Sequence, residues 1–110
     1  MSFIIQSPHQ KVSLQVRRMV REKFMRFEKL FNRIELYRVI LRKEKNDKQE
    51  RFIVEAQLFV PGNNLFAREQ GTNFLTAAEQ VCIDLENQIK KHKSKWDRKS
   101  ARAVDQLNWV

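Results

Sequence analysis

Residues 52–69, "FIVEAQLFVPGNNLFARE", carry the pattern that decides the fold. Phe52, Val54, Ala56, Leu58 and Val60 take one face of an extended chain, and Glu55 and Gln57 take the other. Pro61 and Gly62, then Asn63 and Asn64, interrupt the run with turn chemistry. The short run "LFARE" at 65–69 then returns as a further strand. Upstream, "IELYRVILRK" at 34–43 is rich in branched and aromatic side chains, as strands are. The polar "EKNDKQE" that separates it from 52–60 contains the turn-prone Asn46-Asp47. Three strands joined in this way read as an antiparallel meander.

Outside the meander the period changes. Residues 10–31 have helical spacing, with Val12, Val16, Met19, Val20, Phe24, Phe27, Leu30 and Phe31 in one apolar stripe. Arg17, Arg18, Arg21 and Lys29 fall on the far side, and Lys23 lies inside the stripe, where its stem packs while its head reaches water. At the other end, Thr72 is a candidate N-cap for a second helix whose stripe is Phe74, Ala78, Val81, Cys82, Leu85 and Ile89. The apolar "FIIQ" at 3–6, stopped by Pro8, is a short buried strand. The order is therefore β-α-β-β-β-α. A strand, a helical crossover and a second strand form parallel neighbours, and the remaining strands add antiparallel. The expected fold is a two-layer α+β domain, with a four-stranded mixed sheet and two helices on one face. Residues 96–110 have weak periodicity and read as a flexible tail after a single domain over 1–95.

Composition narrows the partners. The chain has 110 residues, with 22 Lys and Arg against 13 Asp and Glu, a net charge of +9 and a pI near 10.1. A polyanionic partner is implied, either nucleic acid or an acidic membrane surface. Both apolar stripes are needed by the sheet, so a membrane is the weaker of the two. One cysteine makes no internal disulfide, and the N-terminus has no signal-peptide pattern, so a reducing cytoplasm is expected.

Catalysis finds little support. Cys82 sits on an apolar stripe and reads as a small buried hydrophobe, His9 and His92 are far apart, and the two glycines are isolated. No pair of carboxylates has a spacing that recommends it for acid–base work, and no metal, cofactor or small-molecule substrate is called for. His92 projects onto the apolar stripe of the last helix, which favours packing or capping. The basic residues are the informative ones. Residues 11–31 hold seven basic and two acidic side chains, and 87–102, "NQIKKHKSKWDRKSAR", hold seven basic and one acidic. A helix C-terminus alone explains a few lysines, but not a second helix that is also basic on its wet side. Two helices side by side would merge these surfaces into one positive patch. Such a face suits the phosphates of folded RNA. Aromatic side chains for stacking bases are few, namely Tyr37, Trp96 and Trp109.

The segments "IIQSPHQKVS", "EKND", "PGNNLFAREQGTNFLTAAEQ" and "LENQIKKHKSK", in that order and spacing, resemble the ribosome hibernation-promoting factor family. That family includes the ribosome-associated inhibitor and was once described as modulating an alternative sigma factor. The resemblance covers about residues 1–95 and is to the short form. It implies a β-α-β-β-β-α fold similar to a double-stranded-RNA-binding domain. It also implies binding to small-subunit ribosomal RNA in the channel between head and body, over the messenger and transfer RNA positions of the decoding and peptidyl sites. Translation would stop and idle ribosomes would be preserved, as under stress or in stationary-phase bacteria. The protein would be monomeric off the ribosome. The matching basic positions are Lys90, Lys91, His92, Lys93 and Lys95 in the last helix, and Arg18, Arg21, Lys23 and Lys29 in the first.

The chain departs from the family in places. Asn73 and Phe74 stand where many relatives carry an acidic residue and a Tyr, so any hydrogen bond from that hydroxyl is absent. Long relatives add a second domain that pairs two ribosomes. Some short relatives promote ribosome dimers and others oppose them, and "WDRKSARAVDQLNWV" at 96–110 leaves that choice open. A different class of function also stays open, a regulator whose basic face docks on an acidic protein such as a transcription factor.

Overall fold

The computed structural model describes the backbone of residues 2–8 and 11–108, and side chains among them as far as Lys93. Its elements are β1 (Ser2–Gln6), α1 (Leu14–Met25), α2 (Phe27–Leu30), β2 (Leu36–Lys45), β3 (Glu50–Val60), β4 (Asn63–Gly71) and α3 (Phe74–Asn108). The strands form one sheet in the order β1-β2-β3-β4. β1 runs parallel to β2, with Phe3 opposite Tyr37, and the other two pairings are antiparallel. The expected α+β architecture is thus the observed one.

Register explains why one face is buried. Leu41 lies opposite Val54, Ala56 opposite Ala67, and Leu58 opposite Leu65. A period of two sends all of these to the same side, where Val20, Phe24 and Phe27 come from the first two helices and Val81, Leu85 and Ile89 from α3. Phe3 bridges the layers, with ring centroids 6.1 Å from Phe24 and 5.4 Å from Tyr37. Burying a side chain of this size stabilises by about 1.5–3 kcal/mol, so these contacts dominate the fold. Tyr37 is fully buried, and its hydroxyl donates to Glu28 Oε1 at 2.7 Å, which ties α2 down onto the sheet. Burial, reinforced by that carboxylate, pushes the phenol well above its ordinary pKa. On the opposite face Glu55 receives Arg42 at 3.4 Å and Arg68 at 3.6 Å.

The structure departs from the sequence reading in several places. The first helix begins at Leu14, not residue 10. Ser13 is its N-cap, its side chain accepting from Val16 N at 3.2 Å. The helix then breaks at Arg26. No Gly or Pro marks that break, so apolar spacing ran through it. Met19, in the apolar stripe by its spacing, is 39% exposed, one turn before Lys23. Arg17, on the wet side by its spacing, is half-buried and donates to Val12 O, Ile5 O and Ser7 Oγ. The N-cap of α3 is Asn73, not Thr72: its Oδ1 accepts from Thr76 N at 2.7 Å. Each strand of the meander is also longer or shifted, because ladder pairing continues into polar residues such as Lys45 and Glu50.

The backbone of α3 continues to Asn108, past the end near Lys95 that the sequence reading expected. Residues 90–108 contain neither Gly nor Pro and are rich in Lys, Arg and Ala, which favour helix. The side chains of Lys95 and Trp96, and the whole of His9 and Trp109, lie outside the described residues.

Leu85 is fully buried at the centre of the α3 stripe. Leu85→Ala should therefore lower stability by about 2–5 kcal/mol in a denaturant titration. A loss below about 0.5 kcal/mol, the range of ordinary surface substitutions, would contradict this packing.

Candidate nucleic-acid interface

Sharing one sheet face sets α1 and α3 side by side, and charge is sorted along their seam. Lys23 donates to Glu79 Oε2 at 2.9 Å, and Arg26 meets Glu79 at 3.2 Å and Glu86 at 3.9 Å. The two cations beside Glu79 hold its carboxyl below the usual glutamate range, the Lys23 hydrogen bond contributing most. These groups are partly exposed, and such pairs contribute about 0–1 kcal/mol each, little beside the core. Their larger effect is on the surface, where two cations of the first helix are already neutralised.

Other basic side chains stand on either side of these pairs. Arg18 and Arg21 are exposed on the flank of α1 that faces β1, where the Arg21 guanidinium lies 5.7 Å from the centre of the Phe3 ring. Others sit where α3 passes α2. Lys93 Nζ donates to Leu30 O at 3.5 Å, and the His92 ring meets Phe31 edge-on with centroids 5.7 Å apart. These contacts set Lys93 at the end of the chain segment that carries Lys29, with Lys90 and Lys91 within one turn of it on α3. Lys90 also lies 3.6 Å from Glu86 one turn earlier on its own helix. Lys23, expected among the RNA-facing residues, points instead into the seam. His92 packs, as its place on the stripe indicated.

Other chemistry can be weighed directly. Cys82 is fully buried, and burial pushes its thiol up to about 12, so almost none is ionised at neutral pH. Among the described residues no cluster of His, Cys, Asp and Glu is arranged to hold a metal ion. Glu69 and Asp84, fifteen residues apart, do meet between β4 and α3, and their hydrogen bond raises the Glu69 carboxyl. Sequence spacing did not reveal this pair. Tyr37, read as a candidate base-stacking residue, is in the core. Phe66 is 53% exposed on the open sheet face and was missed because it continues a strand pattern.

The fold and its surface define a class: a small two-layer α+β domain that carries lysines and arginines on the outer faces of its helices. Residues 3–97 match the family described as sigma 54 modulation protein / S30EA ribosomal protein, and the chain belongs to that family. It is 33% identical over 91 residues to a ribosome hibernation promoting factor of Pseudomonas putida, covering 83% of this chain and 85% of that protein. Two solved structures share the fold. One is a ribosomal subunit interface protein from Coxiella burnetii, with TM-score 0.75, 20% identity and coverage of 86% of this chain and 99% of that one. The other is the N-terminal domain of Protein Y from Thermus thermophilus, with TM-score 0.68, 19% identity and coverage of 84% and 99%.

Two outcomes test this site. Glu79 has a lowered folded-state pKa, so its contribution to stability is present above its ordinary value of 4.5 and is lost as pH falls through the lowered value. Glu79→Gln should remove that part of the acid dependence of unfolding; an unchanged acid profile would show that the seam pairs do not persist in solution. Cys82 in the native protein should resist alkylation by iodoacetamide at pH 8 and react only on unfolding. Rapid labelling of the folded chain would contradict its burial.

Proposed function

We propose that this chain is a ribosome hibernation factor. It binds ribosomal RNA of the small subunit in the channel for messenger and transfer RNA, blocks the decoding and peptidyl sites, and keeps idle ribosomes intact. It acts in the cytoplasm by occupancy and not by catalysis. Family membership supports the ribosomal partner, as does the 33% identical relative that bears the name ribosome hibernation promoting factor. The observation that carries the reading is that exposed Lys90, Lys91 and Lys93 fall within one turn of α3, where Lys93 meets Leu30 and His92 meets Phe31. These lysines are exposed on a helix whose other face is committed to the core, with Lys90 also beside Glu86 and Lys93 also on Leu30 O. Lys29, Arg18 and Arg21 extend the proposed surface, Lys95 is added on the family resemblance alone, and Lys23 belongs to it only where RNA displaces Glu79. Phosphates along folded RNA are the natural counterpart of charges so spaced, and they are recognised through backbone and shape.

Contacts of this kind are salt-sensitive. Each phosphate neutralised contributes a little under one unit to the log–log slope of affinity against salt. Lys90, Lys91 and Lys93 changed together to Glu should abolish co-sedimentation with purified small subunits and the inhibition of translation, and the thermal melt should stay intact. A control with the same kind of change, Lys45→Glu with Lys48→Glu, alters the β2–β3 hairpin and should do less per charge reversed. Equal losses from both sets would reduce the attraction to net charge alone. Retention in the soluble fraction at every salt concentration would point to an acidic protein partner.

A further inference from the structure

Between the free edge of β1 and the start of α1 lies a groove of about 330 Å³, lined by Phe3, Ile5, Leu14, Arg17, Arg18 and Arg21. Half of its lining is apolar and half is guanidinium, and no carboxylate contributes. Leu14 is the first residue of α1 and is 79% exposed, a large apolar side chain outside the core stripe. Arg21 is held in place by the Phe3 ring beneath it, with 5.7 Å from guanidinium carbon to ring centre. Arg17 is committed to the protein through Ile5 O and Ser7 Oγ. Arg18 and Arg21 form no ion pair with a carboxylate among the described residues.

We infer that this groove takes one unstacked nucleotide of single-stranded RNA, with its base against Leu14 and the Arg21 plane and its phosphate on Arg18. The proposal rests on the RNA-binding reading above and adds a base-contacting site to a surface otherwise suited to phosphates. The volume is near the lower bound for small-ligand sites, roughly 300 Å³, which suits one nucleotide. Bases splayed out of folded RNA stack on aromatic rings and on guanidinium planes. The strongest competing occupant is an acidic peptide added as a strand to β1. The structure disfavours it, because the Arg17 side chain already occupies the carbonyl of Ile5 on that edge. A nucleotide needs no such backbone ladder.

The test separates base from phosphate. Arg21→Lys keeps the charge and loses the plane, and Leu14→Ala removes apolar surface that the core does not use. Each should weaken binding to purified small subunits by about tenfold, near the lower end for loss of one base contact, with the salt slope and melting temperature unchanged. In the free protein, single-stranded hexa-adenylate should shift the Leu14 and Ile5 methyl resonances, and inorganic phosphate should not. Wild-type affinity in both variants would overturn the groove proposal and leave ribosome binding standing. Should the wild-type protein itself stay off small subunits, the ribosomal reading falls and the hexa-adenylate titration decides the groove alone: absence of a methyl shift overturns it. The same shift from an acidic hexapeptide, without one from hexa-adenylate, would also overturn it.

Discussion

Everything in this domain follows from the burial of a single sheet face. Tyr37, Val39 and Leu41 on β2, and Val54, Ala56 and Leu58 on β3, must be covered, and two helical stripes cover them. Each large side chain removed from water is worth more than any surface ion pair in the molecule. Core packing therefore fixes the positions of the helices, and the charges accept the neighbours that result. Glu79 did not draw α1 and α3 together; it lies where their shared core puts it.

That ordering of energies has a functional side. A protein with a net charge of +9 attracts polyanions over a long range whatever its surface pattern. Pattern enters at contact. Lys23 and Arg26 meet carboxylates in the seam, and midway along α3 Lys93 reaches the last residue of α2. The pairs of Glu79 and Glu86 with Lys23, Arg26 and Lys90 thus reduce the positive charge along the seam.

Much of this was legible in the residues. Alternation over 52–60, the turn chemistry at 61–64 and the two helical stripes led to the correct element order and to burial of a single sheet face. The parallel β1–β2 pair followed from the crossover rule. Local details were less readable. The break at Arg26 has no Gly or Pro to announce it, and the cap passed from Thr72 to Asn73 because neighbouring polar residues have similar capping chemistry. Strand ends extended into charged residues, since hydrogen bonding of a ladder does not require apolar side chains.

The sequence by itself determined the fold class, most of the buried positions, the inert environment of Cys82 and the basic character of both helices. Tertiary structure alone decided which basic groups remain available. Periodicity assigns a side chain to a face of its own element, but it says nothing of what stands opposite. Lys23 and Glu79 are 56 residues apart and meet at 2.9 Å, and Arg17 turns back 12 residues to the carbonyl of Ile5. Those encounters arise because helices and strands distant in the chain must share one apolar interface, and the charges at its margins then pair across the boundary.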